Sequence, residues 1–148
     1  MPTASEPASP ETLRVEGQNP IRVPVNARPE TLSWPVVRDS RGFECASGEW
    51  IEREWAGIPA LELVEAAAMP GATTHVQLES VDGYRACVPL LDLEDALVAV
   101  GDGEGFPRFV SPYVVGPRNI KNLSRIRPLC LGPADDRERY ENLPIDDK

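Results

Sequence analysis

Cys45 is the residue in this chain best suited to chemistry. It lies in Phe43–Leu63, FECASGEWIEREWAGIPALEL, on a Gly/Ser turn followed by Trp50 and Trp55. A thiolate on a turn beside a rigid aromatic wall could ligate a soft metal centre. A free cysteine is equally at home as a small buried hydrophobe. On the residues alone both readings stay open. Arg108, Arg118 and Lys121 crowd one stretch of a chain that carries 24 acidic and 15 basic residues. Isolated surface charges contribute little, but basic residues gathered in so acidic a chain point to an anion pocket. Tyr84, after Asp82-Gly83, is read either as a hairpin packing residue or as a phenol facing a site. His75, the sole histidine, is expected to be structural or exposed on a strand. Glu62/Glu65 and Asp92/Glu94/Asp95 are expected on solvated helix faces, not as acid–base pairs. There is no phosphate-loop glycine pattern, Ser/His/Asp set or histidine cluster.

The remaining composition narrows the class. A length of 148 residues suits one domain, able to bury a core without disulfides or an oligomer. Cys45, Cys87 and Cys130 have no paired spacing, which argues against a structural zinc or a disulfide framework; Cys87 and Cys130 are expected in the core. The formal charge of −9 argues against a nucleic-acid surface, which needs a basic stripe. No apolar run approaches the ~20 residues of a membrane span. The N-terminus has no basic start followed by an apolar run, so it does not read as a signal peptide. A soluble, cytoplasmic protein is expected. With only Lys121 and Lys148 as lysines, the acidic surface also looks halophilic, because salt screens the repulsion between like charges.

The elements that must position these residues read as follows. Residues 1–11 are Pro/Ser/Glu-rich and expected to be disordered. Leu13–Val15 and Ile21–Val25 read as strands, the second at an edge because Pro24 removes a ladder donor. Pro59 suits the first turn of a helix over Ala60–Met69, stopped by Pro70-Gly71, with Trp55 packed under it. Trp50 is the better candidate for an aromatic wall. His75–Glu79 and Tyr84–Val88 read as a hairpin across Asp82-Gly83. A second short helix is expected at Leu93–Val100, with Asp92 as N-cap and Asp95 in the capping-box position. Phe109-Val110 and Tyr113–Val115 read as short strands, and Ile120–Leu131 as a final extended stretch. Residues 132–148 are expected to form a loose acidic tail. Many short strands with two short helices make an α+β domain.

The order of these segments resembles the molybdopterin-binding domain of sulfite oxidase-type oxidoreductases, in a minimal single-domain form. Three separated matches carry the resemblance. The first is Cys45-Ala46 followed by Trp55-Ala56-Gly57 and a helix. The second is Asp82-Gly83-Tyr84-Arg85-Ala86-Cys87-Val88-Pro89-Leu90. The third is Gly105-Phe106-Pro107-Arg108 with Val114-Val115-Gly116-Pro117-Arg118-Asn119-Ile120-Lys121. With Leu13–Gly17 added, the resemblance covers about residues 12–131. It implies that Cys45 is the thiolate ligand of molybdenum and that Arg108, Arg118, Asn119 and Lys121 bind the cofactor, the cations taking the pterin phosphate. It implies that Tyr84 lines the substrate side, where a phenol can donate a hydrogen bond. The cofactor would carry oxygen-atom transfer to or from a small molecule.

The departures sharpen the expectation. Glu104 stands where the family has a histidine, and Ser47-Gly48-Glu49-Trp50 stand where sulfite oxidases carry arginines for the substrate anion. Asn122-Leu123 replace the usual tryptophan after the last lysine, and neither the N-terminal pterin-reaching segment nor the dimerisation domain has a counterpart. Sulfite is therefore not the expected substrate. A redox partner subunit or a second copy is expected to cover a large cofactor on so short a chain. The alternative is a cofactor-free binding module that keeps only the fold.

Overall fold

The computed structural model describes residues 12–25, 32, 34–44, 49–101, 105–114 and 116–143. Among these residues nine strands and one α-helix follow in chain order: β1 (Thr12–Val15), β2 (Ile21–Pro24), β3 (Val37–Glu44), β4 (Trp50–Pro59), α1 (Ala60–Ala67), β5 (His75–Ser80), β6 (Arg85–Pro89), β7 (Leu97–Ala99), β8 (Arg108–Val110) and β9 (Leu123–Leu129). They form a five-stranded sheet ordered β2-β1-β9-β5-β6 and a four-stranded sheet ordered β3-β4-β7-β8. Every pairing is antiparallel except β1 with β9. The expected α+β class holds. Leu13, Val76, Leu78 and Ile126 from the larger sheet, Ile58, Val98 and Phe109 from the smaller, and Leu63 of α1 share one buried cluster. β2 lies at the sheet edge, where Pro24 costs no ladder bond.

α1 begins after Pro59, as expected, and ends two residues early, at Ala67. Its last carbonyls, which no helical N–H can reach, are met by the turn after β1. Gln18 N donates to Ala68 O at 2.9 Å, Asn19 N to Ala67 O at 2.9 Å and Asn19 Nδ2 to Ala66 O at 3.2 Å. The approach is so close that a Cβ on Gly17 would stand 2.3 Å from Ala67 O. Gly17 thus ties β1 to the helix end.

The second expected helix is absent. Leu90–Leu93 is a 3-10 turn, and Leu97–Ala99 is strand β7, buried between β4 and β8. A short apolar run fits a doubly covered strand as well as a buried helix, and tertiary pairing decides between them. Asp92 is not a helix cap, and Asp95 takes a positive φ of 64°. Tyr113 and Val114 lie in a turn rather than a strand. Val115 lies outside the described residues.

The long β3–β4 hairpin, registered from Val37↔Gly57 to Glu44↔Trp50, had no strand signal over Trp50–Glu54. Nor does Trp55 pack under α1. It joins Leu97, Ala99 and Val110 in a second small cluster, with Phe106 edge-on at 6.4 Å and the Arg53 guanidinium 4.3 Å from its ring centre.

The loose tail is also corrected, as far as Leu143. Arg137–Tyr140 forms a 3-10 turn capped by Asp136, whose Oδ1 accepts from Glu138 N at 3.0 Å. Asn142 exchanges two backbone bonds with Arg85 at 2.8 and 2.9 Å, covering the exposed edge of β6. Gln77 Nε2 donates to Tyr140 O at 2.8 Å. Acidic composition suggested solvation, but these groups have specific partners.

Candidate functional site

The sequence motifs converge through backbone hydrogen bonds. Phe109 N donates to Ile120 O at 3.0 Å, Leu123 N to Pro107 O at 2.9 Å and Asn122 N to Gly105 O at 3.2 Å. Val81 N then donates to Asn122 O at 3.0 Å. Gly105–Arg108, Asn119–Leu123 and the β5–β6 turn that carries Tyr84 therefore form one continuous rim. Gly105 and Asn122 both hold positive φ values, 90° and 53°, the left-handed conformation that glycine, and less often asparagine, tolerates.

Two of the three expected cations stand on this rim. Arg108 is half-buried, and its Nε donates to Asn119 O at 3.2 Å. Lys121 is exposed, with its stem beside Gly105, where an added Cβ would lie 3.9 Å from Lys121 Cδ. Lys121 makes no ion pair with another described residue. Tyr84 is 37% exposed on the neighbouring turn. That turn is fixed by Ser80, whose Oγ accepts from Asp82 N and Tyr84 N at 3.1 Å each.

Asn119 works differently. It is 2% exposed. Its Oδ1 accepts from Ser111 N at 2.9 Å, and its Nδ2 donates to Val114 O at 3.3 Å. Its amide clamps the turn after β8, and its carbonyl orients Arg108.

Arg118 points to another partner, one that nothing in the sequence singled out. Its Nε and Nη2 reach the two oxygens of Glu141 at 2.7 Å each. Glu141 Oε2 also accepts from Cys87 N at 2.8 Å, and its side chain is 4% exposed. Burial alone would raise the Glu141 carboxyl, but the Arg118 bond, the Cys87 amide and the Arg118 and Arg137 charges outweigh it and hold the carboxyl below its usual range. The Glu141 hydrogen bond correspondingly raises Arg118. Burial, followed by the Glu141 charge, pushes the Cys87 thiol up to about 11. Cys87 is thus a protonated core thiol at neutral pH, as expected, whereas Cys130 is exposed rather than buried. In a tail rich in carboxylates, no local pattern distinguishes Glu141 from the other acids.

Cys45 and Glu104 lie outside the described residues. Cys45 directly follows Glu44, the last residue of β3, whose partner is Trp50. Trp50, the expected aromatic wall, is 59% exposed and lies over Gly42, where an added Cβ would meet its ring at 2.4 Å. His75 begins β5, half-buried, with Nδ1 2.7 Å from Thr74 Oγ1. Among the described residues no group of three or more His, Cys, Asp or Glu side chains could hold a metal ion. No helix among them is long and apolar enough to cross a membrane.

Fold and rim together define an α+β domain whose backbone joins the segments that carry Arg108, Lys121 and Tyr84 around Gly105. The sequence confirms the class: residues 23–130 match the oxidoreductase molybdopterin binding domain, and the chain belongs to that family, whose cofactor is molybdopterin. The sulfane dehydrogenase SoxCD from Paracoccus pantotrophus has a similar fold, with a TM-score of 0.69 at 18% identity, over 88% of this chain and 40% of that one. The chain thus spans well under half of that protein chain. No protein of curated function matches the sequence significantly. Arg108, Lys121 and a side-chain-free Gly105 are donors and a point of close approach of the kind that the phosphate end of the cofactor would need.

Proposed function

We propose that this chain is a molybdenum-cofactor oxidoreductase that moves an oxygen atom to or from a small molecule other than sulfite. The observation that carries the reading is the rim: the chain Val81–Asn122–Gly105, with Leu123–Pro107 beside it, gathers Tyr84, Lys121 and Arg108 from three separate motifs. The cofactor, when bound, supplies the two-electron, oxygen-atom chemistry. Arg108 and Lys121 hold the pterin phosphate with charge-assisted hydrogen bonds. Tyr84 offers its phenol O–H on the substrate side, and Cys45 gives the metal its thiolate. Asn119 serves the cofactor through the backbone it holds. Arg118, with two nitrogens on Glu141, braces the segment that carries Lys121.

The stretch Ser47-Gly48-Glu49-Trp50 supports a substrate other than sulfite, since it offers an acid and no arginine to an incoming dianion. A redox partner or a second copy would close the exposed rim, and a cytoplasmic, salt-adapted protein fits the composition. The test is oxygen transfer by holoprotein supplied with a reduced dye and a panel of sulfoxides and N-oxides, alongside Cys45→Ser and Tyr84→Phe. Turnover that Cys45→Ser abolishes and Tyr84→Phe slows is expected. Cofactor-loaded protein with no turnover in either direction of the reaction, sulfite included, would contradict the enzyme reading and leave a cofactor carrier.

A further inference from the structure

The docked C-terminal segment forms one wall of an open groove of about 590 Å³, within the size range of small-molecule sites. His75, Arg118 and Arg137 line it together with Asp135, Asp136 and Glu138. Three basic and three acidic side chains therefore share one concavity.

Their partners are telling. Arg118 is closed on Glu141, so its charge is met within the protein. Asp135 Oδ2 accepts from Gly132 N at 2.7 Å and Asp136 Oδ1 from Glu138 N at 3.0 Å, so each carboxylate has one oxygen on backbone. Arg137 makes no ion pair with any described residue, and its Nε is buried without an acceptor. Three acids line the same groove and none pairs with it. His75 is oriented by Thr74 Oγ1 at 2.7 Å. A simple anion would leave the three carboxylates opposed to it, and a simple cation would leave Arg137 unmet. A ligand bearing both charges answers both walls.

We infer that this groove binds a small zwitterion of amino-acid or betaine type, its carboxylate on Arg137 and His75 and its ammonium against Asp135, Asp136 and Glu138. The site exists only while the C-terminal segment is docked.

The chain's single histidine makes the test direct. His75 is lowered by burial and then by the Arg137 charge, so a bound carboxylate should raise it. The imidazole C–H resonances of the full-length protein are followed by NMR against pH, with glycine and glycine betaine as probes and acetate and methylammonium as single-charge controls. Either zwitterion should raise the His75 midpoint saturably, at concentrations roughly tenfold below those of either control. Arg137→Gln and Glu138→Gln, neither of which removes a side-chain hydrogen bond formed in the structure, should each weaken that effect by about tenfold, ~1.4 kcal/mol. An unmoved His75, equal effects from acetate and glycine, or retained binding in both variants of intact fold would overturn the assignment.

Discussion

Lys121 and Arg108 carry the cofactor reading between them, and their environments set what each substitution should do. Lys121 is exposed and lies beside Gly105, so Lys121→Ala removes a charge without disturbing packing. A charge-assisted hydrogen bond contributes ~1.5–3 kcal/mol. The variant should therefore fold normally and bind pterin roughly ten- to a hundredfold more weakly, read by equilibrium dialysis with fluorescence of the oxidised pterin. Glu141 should act on stability instead. Its carboxyl is held below the usual glutamate range despite burial. The stabilisation is thus complete above the unfolded value of ~4.3 and is lost as pH falls through the lower folded value. Glu141→Gln should flatten that acid limb in denaturant melts taken at successive pH values. Glu141→Ala should cost ~3–5 kcal/mol at neutral pH, because it strands a mostly buried guanidinium. Arg108, Lys121 and Tyr84 each sit in a short motif, which is why the sequence could single them out. The Glu141 partnership was not, since 23 residues separate it from Arg118 and an acidic tail gives no reason to prefer one carboxylate.

At the scale of elements, local chemistry and tertiary pairing divide what could be read. Pro59 before α1, Pro24 at an edge and Asp82-Gly83 in a hairpin are local rules, and each was followed. β7 and the β3–β4 hairpin escaped for opposite reasons. Residues 96–100 are buried to the last residue, so no periodicity separates strand from helix. In the hairpin, charged residues such as Arg53 and Glu54 sit where alternation would have shown a half-buried strand. Asn119 shows how a motif residue can serve through structure: it holds both Ser111 N and Val114 O. Asn119→Ala would leave that buried amide and carbonyl unmet, at ~1–3 kcal/mol for each group left unsatisfied. Thermal unfolding should shift down accordingly, and pterin affinity should fall only through the displaced Arg108. Gly17→Ala should destabilise by ~1–3 kcal/mol, because its Cβ would collide with Ala67 O and part β1 from α1.

At the scale of the molecule, the C-terminal segment is a structural part of the domain rather than an appendage. It covers the β6 edge through Asn142, reaches Gln77 through Tyr140 O and closes Arg118 through Glu141. A chain ending at Gly132 should show faster amide exchange at Arg85 and Cys87 and a lower melting temperature. The net charge of −9 should make the intact protein melt higher as salt screens its self-repulsion. The central claim is that the Gly105–Asn122 rim holds the molybdenum cofactor by its phosphate. Its most direct test is molybdenum and pterin content per chain, for protein made in a cofactor-competent host, set against an Arg108→Ala/Lys121→Ala variant. Near-stoichiometric molybdenum and pterin in the parent, both largely lost from a folded double variant, is the predicted result. Equal content in the two proteins, or none in a well-folded parent, would contradict it.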